Sequence, residues 1–240
     1  MASGTRTWLR WVIGAVVAVV VLAIAAPFVY IHFIEDDAPP PLALPDAPST
    51  SVPSGASGAT TPNASSALTG TWKVATGSTV GYRAKEVLFG QDNDAAGRTH
   101  DVTGSVTFDG TTVNSAEMTA DLTTVSSDRT QRDQAFQGRI MDTAQFPTAT
   151  FKLTKPIALG KVPADGETIT VDATGDLMLR GVTKSVTTSI KARKTGDLVE
   201  INGSIPIAWV DYQIPDPSFF GAKVQDHGSL EFLIKLNRAS

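Results

Sequence analysis

Apolar and polar residues alternate along most of the chain beyond residue 68. Val102, Val106 and Phe108 alternate with threonine and serine, and four later stretches repeat this period of two. The apolar positions there are Ile169, Val171, Ala173, Leu177 and Leu179, then Val182, Val186 and Ile190, then Val199, Ile201, Ile205, Ile207 and Trp209, and finally Leu230, Phe232, Ile234 and Leu236. Because successive side chains of a strand point to opposite faces, each stretch predicts a strand with one dry and one wet face.

Two dipeptides between these stretches are typical of tight turns. Asp109-Gly110 follows Phe108, and Arg180-Gly181 separates two apolar runs. Glycine adopts the positive φ values that a two-residue hairpin requires. About eight strands joined by short connections, without alternating helices, predict an all-β antiparallel barrel, with a sandwich as the alternative.

One helical stretch between residues 126 and 146 interrupts the strand pattern. Phe136 and Ile140 stand four residues apart, as on one face of a helix, and Asp128 is placed to cap its start. Arg132 and Asp133 could act as an acid-base pair. We interpret them instead as pinning the helix to the barrel through charge-assisted hydrogen bonds.

Arg83 and Glu86 lie in the segment from Tyr82 to Leu88. We interpret their charges in the same structural way as those of the helical stretch. The alternative is that one of the two side chains reaches inward to orient a ligand head group.

An apolar segment opens the chain. Residues 11–34 include no charged side chain over 24 positions, and at ~1.5 Å per residue such a helix can cross a hydrocarbon core about 30 Å thick. Arg6 and Arg10 precede it and an acidic triplet at 35–37 follows, which predicts a signal-anchor helix with residues 1–10 in the cytoplasm and the rest outside. A cleaved signal peptide, leaving a secreted domain, is the open alternative.

A linker is predicted over residues 35–67. From residue 38 onward it is dominated by Ala, Ser, Thr, Pro and Gly, with Asp46 as its one charge. Such a composition buries too little apolar surface to order itself. We therefore expect a disordered tether with a reach between about 30 Å and about 90 Å, followed by one folded domain over residues 68–240.

Composition and motifs exclude several classes of function. The chain has a net charge of −4 and no cysteine, which leaves no basic excess for nucleic acid and no thiolate metal site. No nucleophile elbow, zinc-protease pair, phosphate-binding loop or dinucleotide fingerprint occurs, so we expect no enzyme, cofactor or metal. Residues 92–97 begin like a calcium loop but lack its later glutamate, and they are predicted to form a polar surface turn.

Several short motifs occur in an order that resembles the YceI-like family. They are Trp72-Lys73-Val74, Gly104-Ser105-Val106-Thr107-Phe108-Asp109, Arg132-Asp133, Phe146-Pro147 followed by Phe151, and Leu177-Met178-Leu179-Arg180-Gly181-Val182-Thr183-Lys184. The resemblance covers residues 68–240 and implies a lipocalin-like barrel that binds a polyisoprenoid or another long-chain lipid.

The chain departs from the family pattern at three dipeptides. It has Gly77-Ser78, Gln134-Ala135 and Ile140-Met141 where many members have His-Ser, His-Leu and Phe-Phe. We therefore carry over no ligand contact from the family to these positions.

The resemblance and the alternation together predict which side chains line the lumen. They are Tyr82, Val106, Phe108, Met118, Leu122, Phe136, Ile140, Phe151, Leu177, Leu179, Ile201, Trp209 and Phe232. An ordinary filled core is the alternative for each of them. The expected function is that of a membrane-anchored, extracytoplasmic lipid-binding protein of a bacterial cell envelope, acting in transport or sequestration. An envelope interaction or sensor protein whose barrel binds a protein partner is the alternative.

Overall fold

Twelve strands make up most of the folded domain. A computed structural model describes residues 11, 14–21, 25, 38–45, 68–88, 90–219 and 221–239. The strands in these ranges are β1 (Gly70–Val74), β2 (Thr79–Leu88), β3 (Gln91–Thr99), β4 (Val102–Asp109), β5 (Thr112–Asp121), β6 (Ser126–Ser127), β7 (Thr148–Leu153), β8 (Ile157–Ala158), β9 (Thr168–Leu179), β10 (Val182–Thr195), β11 (Leu198–Ala208) and β12 (Ala222–Arg238).

Eight of these strands close into an antiparallel barrel. Their order is β1-β4-β5-β7-β9-β10-β11-β12, and β12 pairs back with β1. Trp72 of β1 sits at the closure, with Val106 opposite it in β4 and Arg238 opposite it in β12. The indole N–H donates to the carbonyl of Leu68 at 2.8 Å, and Trp72 is fully buried. The predicted all-β antiparallel barrel is confirmed.

The predicted hairpin turns are confirmed. β9 and β10 pair through Leu179 and Val182, which leaves Arg180 and Gly181 as the two loop residues, with φ of 48° and 74°. Positive φ at both positions is the geometry that follows the twist of the strands. The turn between β4 and β5 likewise places Gly110 at a φ of 58°.

The predicted polar turn at residues 92–97 is wrong, because this segment belongs to strand β3. β3 pairs with β2 in continuous register from Val80 opposite Thr99 to Leu88 opposite Gln91. Pairing along a neighbouring strand satisfies its backbone, which overrides the turn propensity of Asp and Asn. β2 and β3, with the short β6, extend the sheet beyond the barrel closure.

The helical stretch is shorter and less regular than predicted. An α-helix spans Thr130–Ala135 and continues as a π-helical turn over Phe136–Ile140. The prediction that Asp128 caps this helix is wrong: Arg129 is the N-cap residue, and no side chain caps the helix. The Asp128 carboxylate is instead engaged by the Arg132 guanidinium. We call residues 126–146 the helical insertion.

The N-terminal part of the chain is described only at residues 11, 14–21, 25 and 38–45. Residues 14–21 are helical and exposed, whereas most of the predicted membrane segment 11–34 lies outside the described residues. Among the residues that are described, no helix has both the length and the apolar character needed to cross a bilayer. Residues 38–45 lie against the outer wall of the barrel, although their composition predicts a free tether. The rest of the linker lies outside the described residues.

Candidate functional site: an apolar bore

The barrel encloses a large apolar cavity. Its volume is about 150 Å³. Nearly all of its lining comes from inward-facing aliphatic and aromatic side chains of the barrel strands. The polar residues on the lining are Thr150, Thr188, Arg193 and Lys194. The barrel is therefore not a solid core.

A second, smaller apolar cavity lies between the helical insertion and strands β2 and β3. Its volume is about 70 Å³. Ala84 and Glu86 of β2 and Arg132 of the insertion lie on its wall, together with Pro217 and Phe219 of the loop before β12. Phe219 is 41% exposed, so this cavity reaches the surface beside an apolar side chain.

The two cavities together are lined by eleven of the thirteen predicted lumen residues. The large cavity is lined by Val106, Phe108, Met118, Phe151, Leu177, Ile201 and Phe232. The second cavity is lined by Tyr82, Phe136, Ile140 and Trp209. Leu122 and Leu179 line neither of them and are buried in the core cluster with Phe136. A role of these two positions in lining the lumen stays a prediction. Ligand contact by the others stays a prediction.

Aromatic rings lie flat on the barrel wall where the neighbouring strand has glycine. A Cβ atom on Gly203 would lie 2.5 Å from Cζ of Phe232, and one on Gly175 would lie 2.4 Å from Cζ of Phe151. Real Cβ atoms do not approach that closely, so only glycine accepts a ring in this position. The rings of Phe151 and Phe232 therefore lie along the wall of the barrel and do not extend across the bore.

Tyr82 stands where the two cavities approach each other. Its ring stacks on Phe136 with centroids 5.1 Å apart and planes 11° apart, and it faces Leu230 of β12, which lines the large cavity. Burial raises the pKa of Tyr82 well above its ordinary value, and the nearby Arg132 opposes that shift. The phenol is consequently neutral at any physiological pH.

Arg132 joins the helical insertion to strand β2, and Asp133 binds Ser127 at the start of the insertion. Arg132 donates from Nη2 to Oε1 of Glu86 at 3.0 Å, and it also engages Asp128. Asp133 accepts hydrogen bonds from the Ser127 N–H at 2.8 Å and from its hydroxyl at 2.6 Å. This geometry agrees with the structural interpretation of Arg132 and Asp133. Glu86 points inward, as the head-group alternative requires, but its carboxylate is bound by Arg132. Arg83 points outward.

Two residues that line the large cavity were not predicted from the sequence. Leu159 and Pro163 lie in the connection before β9 and reach the lining from outside the strands. No alternation exists in a loop to signal an inward side chain. The glycine partners of the aromatic rings were missed for a similar reason, since cross-strand register decides which ring meets which glycine.

A closed eight-stranded antiparallel barrel with an apolar bore is the architecture of the lipocalin-like class of proteins. Residues 72–236 match the sequence profile of the YceI-like domain, and the chain belongs to that family.

Relatives in sequence cover only part of the chain. Protein YceI of Escherichia coli O6:H1 is 36% identical over 100 residues, which make up 40% of this chain and 48% of that protein. The UPF0312 protein PSPA7_0523 of Pseudomonas paraeruginosa is 33% identical over 135 residues, 55% of this chain and 62% of that protein. The chain thus spans about half the length of the E. coli relative.

Two solved structures share the fold. One is a polyisoprenoid binding domain from Saccharophagus degradans implicated in plant cell wall breakdown, with a TM-score of 0.58 and 17% identity, covering 70% of this chain and 98% of that domain. The other is BcnA of Burkholderia cenocepacia, with a TM-score of 0.52 and 21% identity, covering 66% and 95%. At these identities the likeness concerns the fold.

Proposed function

We propose that the barrel binds a polyisoprenoid or a similar long-chain lipid in its bore. The observation that carries the proposal is the apolar cavity inside a closed barrel of the YceI-like family. The Saccharophagus degradans domain of the same fold is a polyisoprenoid binding domain, which supports the same ligand chemistry here. A hydrocarbon chain suits such a lining because it brings no polar group that burial would leave without a partner.

The size of the bore is compatible with this ligand class. Each buried CH₂ group contributes about 0.8 kcal/mol, so about ten carbons contribute ~8 kcal/mol toward an association cost of about 4–15 kcal/mol. An engineered apolar cavity of about 150 Å³ already binds benzene. A longer chain must extend through the open end of the bore or displace side chains, and the rings of Phe151 and Phe232 are the groups we expect to move.

Selection among lipids rests on shape in this proposal. The lining carries few polar groups, so the length and branching of the hydrocarbon decide how much surface is buried. A pocket of this kind discriminates by only about 1–3 kcal/mol for each missing methylene group. We therefore expect a set of related long-chain lipids instead of a single species.

We propose further that the protein is anchored in the membrane of a bacterial cell envelope, with the barrel on the extracytoplasmic side. The support is the uncharged run of residues 11–34 between Arg6 and Arg10 and the acidic triplet 35–37. A long-chain lipid partitions into the same bilayer that holds such an anchor, so the barrel acts in the transport or sequestration of a membrane lipid. Removal of the segment as a signal peptide would leave a secreted barrel with the same ligand.

The test is lipid extraction and mass spectrometry of the full chain purified from its own host. We compare the unmodified protein with Ala116→Trp, which places an indole in the large cavity, and with Glu117→Trp, which places it on the exposed outer face of β5. The expected result is a long-chain lipid in the unmodified protein and in Glu117→Trp, with at least a tenfold loss in Ala116→Trp. Equal lipid in both variants, or no lipid in any preparation, overturns the proposal.

A further inference from the structure

A short stretch of the linker is bound on the outside of the barrel. Arg83 donates from Nη2 to the Pro39 carbonyl at 2.5 Å, and Arg98 donates from Nη2 to the Pro40 carbonyl. The Leu42 N–H donates to Oε2 of Glu231 at 3.4 Å. Asn202 donates from Nδ2 to the Leu42 carbonyl at 2.9 Å. We call residues 38–45 the strap, and we call the four side chains Arg83, Arg98, Asn202 and Glu231 the strap site.

Four adjacent strands supply the strap site. Asn202 is in β11, Glu231 in β12, Arg83 in β2 and Arg98 in β3, and all four side chains project from the outer face of the wall. Gly81 lies between Glu231 and Arg98 in the register. A Cβ atom on Gly81 would lie 2.9 Å from Cγ of Arg98, so the absent side chain leaves the space that the arginine stem occupies.

Two carboxylates of the sheet orient the guanidinium of Arg83 that binds the strap. Its Nε donates to Oε1 of Glu231 at 2.7 Å, and Nη1 donates to Oδ2 of Asp94 at 3.3 Å. The Arg83 side chain is only 11% exposed. These two carboxylates leave Nη2 as the donor that meets Pro39. A planar, oriented guanidinium loses little further freedom when it binds a carbonyl.

The hydrogen-bonding pattern of the strap matches this site. Three prolines at positions 39–41 have carbonyl acceptors but no N–H donors, and the site presents arginine donors to the first two of them. Leu42 is the first residue after them with an N–H, and there the site presents a carboxylate acceptor. Proline also restricts the unbound segment to extended conformations, which lowers the entropy that binding costs.

We propose that the strap is a clamp that sets the distance between the barrel and the bilayer. The proposal rests on the membrane anchor proposed above. With the strap bound, only residues 35–37 separate the predicted anchor from the barrel wall, and the Cα atoms of residues 34 and 38 can be at most about 14 Å apart. With the strap released, the chain from residue 34 to residue 68 reaches about 30 Å as a flexible coil and about 100 Å when fully extended.

The clamp has a consequence for the orientation of the barrel. The bound strap holds the outer wall formed by β11, β12, β2 and β3 toward the membrane, and β2 and β3 also carry part of the second cavity. The bound state therefore keeps this side of the barrel close to the lipid surface, whereas the released state lets the barrel move to the full length of the tether.

Two measurements on the full chain in lipid nanodiscs test the clamp. The first is amide hydrogen exchange at Leu42, which we expect to be at least tenfold slower than in an unstructured peptide. The second is energy transfer from a dye to acceptor lipids, with the dye on the single cysteine of Lys223→Cys, an exposed position of β12 in a chain without native cysteine. Transfer should fall at least twofold when residues 38–45 are replaced by an equally long Gly-Ser sequence. The same replacement at residues 52–59 is the matched control and should leave transfer unchanged.

The outcomes separate the clamp from the anchor. Exchange at Leu42 at the unprotected rate means that the strap is not bound, and it overturns the clamp while leaving the anchor in place. A protected Leu42 with unchanged transfer after strap replacement makes the strap a purely structural contact, which also overturns the clamp. Protein that leaves the nanodisc overturns the anchor and the clamp together.

Discussion

Nη2 of Arg132 in the helical insertion lies 3.0 Å from Oε1 of Glu86 in β2, and the two side chains are 6% and 1% exposed. This ion pair joins the insertion to the part of the sheet that continues beyond the barrel closure. Because Arg132 also engages Asp128, one buried cation serves two buried carboxylates. The second cavity lies beside this cluster, so its shape depends on the pair remaining intact.

Replacement of Arg132 should be the most costly change in this cluster. Arg132→Met leaves the buried carboxylate of Glu86 without its cation, and such a loss typically costs about 3–5 kcal/mol. Asp128 loses its closer guanidinium and keeps only Arg129, whose Nε lies 3.9 Å from its Oδ2. Glu86→Gln should cost less, about 1–3 kcal/mol, because Arg132 keeps Asp128 as a partner. Urea unfolding of both variants at neutral pH measures the difference. A free energy of unfolding that falls more in Glu86→Gln than in Arg132→Met would contradict the assignment.

The width of the bore should depend on the pair formed by Gly203 and Phe232. In Gly203→Ala the three atoms nearest to the new methyl group are side-chain atoms of Phe232 and Ile190, so we expect the ring to turn into the cavity while the backbone stays in place. We expect lipid binding to weaken about 5-fold to 30-fold, which corresponds to ~1–2 kcal/mol of overpacking. Titration with a fluorescent long-chain lipid measures the Kd.

A second substitution should restore binding in that variant. Phe232→Leu in the Gly203→Ala background removes the ring that the methyl group displaces, and the bore regains its width. If Gly203→Ala binds lipid as well as the unmodified protein, the flat ring does not set the width of the bore. If the double variant stays as weak as the single one, the loss comes from another part of the wall.

Phe232 and Gly203 also show which features of the site can be predicted from the sequence and which cannot. Alternation placed Phe232 on the inner face correctly, because the side-chain period of a strand follows from backbone geometry alone. It could not predict that the ring lies on Gly203, because that contact depends on the register between β11 and β12. Strand β3 was not predicted because Asp92 and Asn93 are typical turn residues, whereas pairing with β2 keeps this segment extended. The contact between Pro39 and Arg83 joins residues that are far apart in the chain, and composition carries no information about it.

Alkaline pH should destabilise the barrel through Tyr82. Burial raises the pKa of Tyr82 above the ordinary value of 10, so the folded protein keeps a proton that the unfolded chain loses. The stabilising effect of the neutral phenol is present below pH 10, and it is lost as the pH rises further, by up to about 1.4 kcal/mol per pH unit. Tyr82→Phe lacks this proton. Its free energy of unfolding should fall less between pH 9 and pH 11.5 than that of the unmodified protein, and parallel curves would contradict the prediction.

Two exposed apolar side chains next to the second cavity should assist exchange of lipid with a membrane. Val210 is 82% exposed and follows Trp209 in the same 3-10 turn, while Phe219 is 41% exposed, and Trp209 and Phe219 both line the cavity. An apolar edge beside an opening lowers the cost of contact with a bilayer, and a carboxylate there raises it. The double variant Val210→Asp with Phe219→Asp should therefore transfer a fluorescent lipid to vesicles about tenfold more slowly. This factor corresponds to an increase of ~1.4 kcal/mol in the activation free energy of transfer.

The amount of lipid bound separates an effect on entry from an effect on the bore. Because Val210 and Phe219 lie outside the large cavity, the aspartate variant should hold as much lipid at equilibrium as the unmodified protein. Ser185→Asp, on an exposed outer position of β10, is the matched control and should change neither rate nor amount. Equal transfer rates in all three proteins would mean that lipid enters the bore elsewhere, away from Val210 and Phe219.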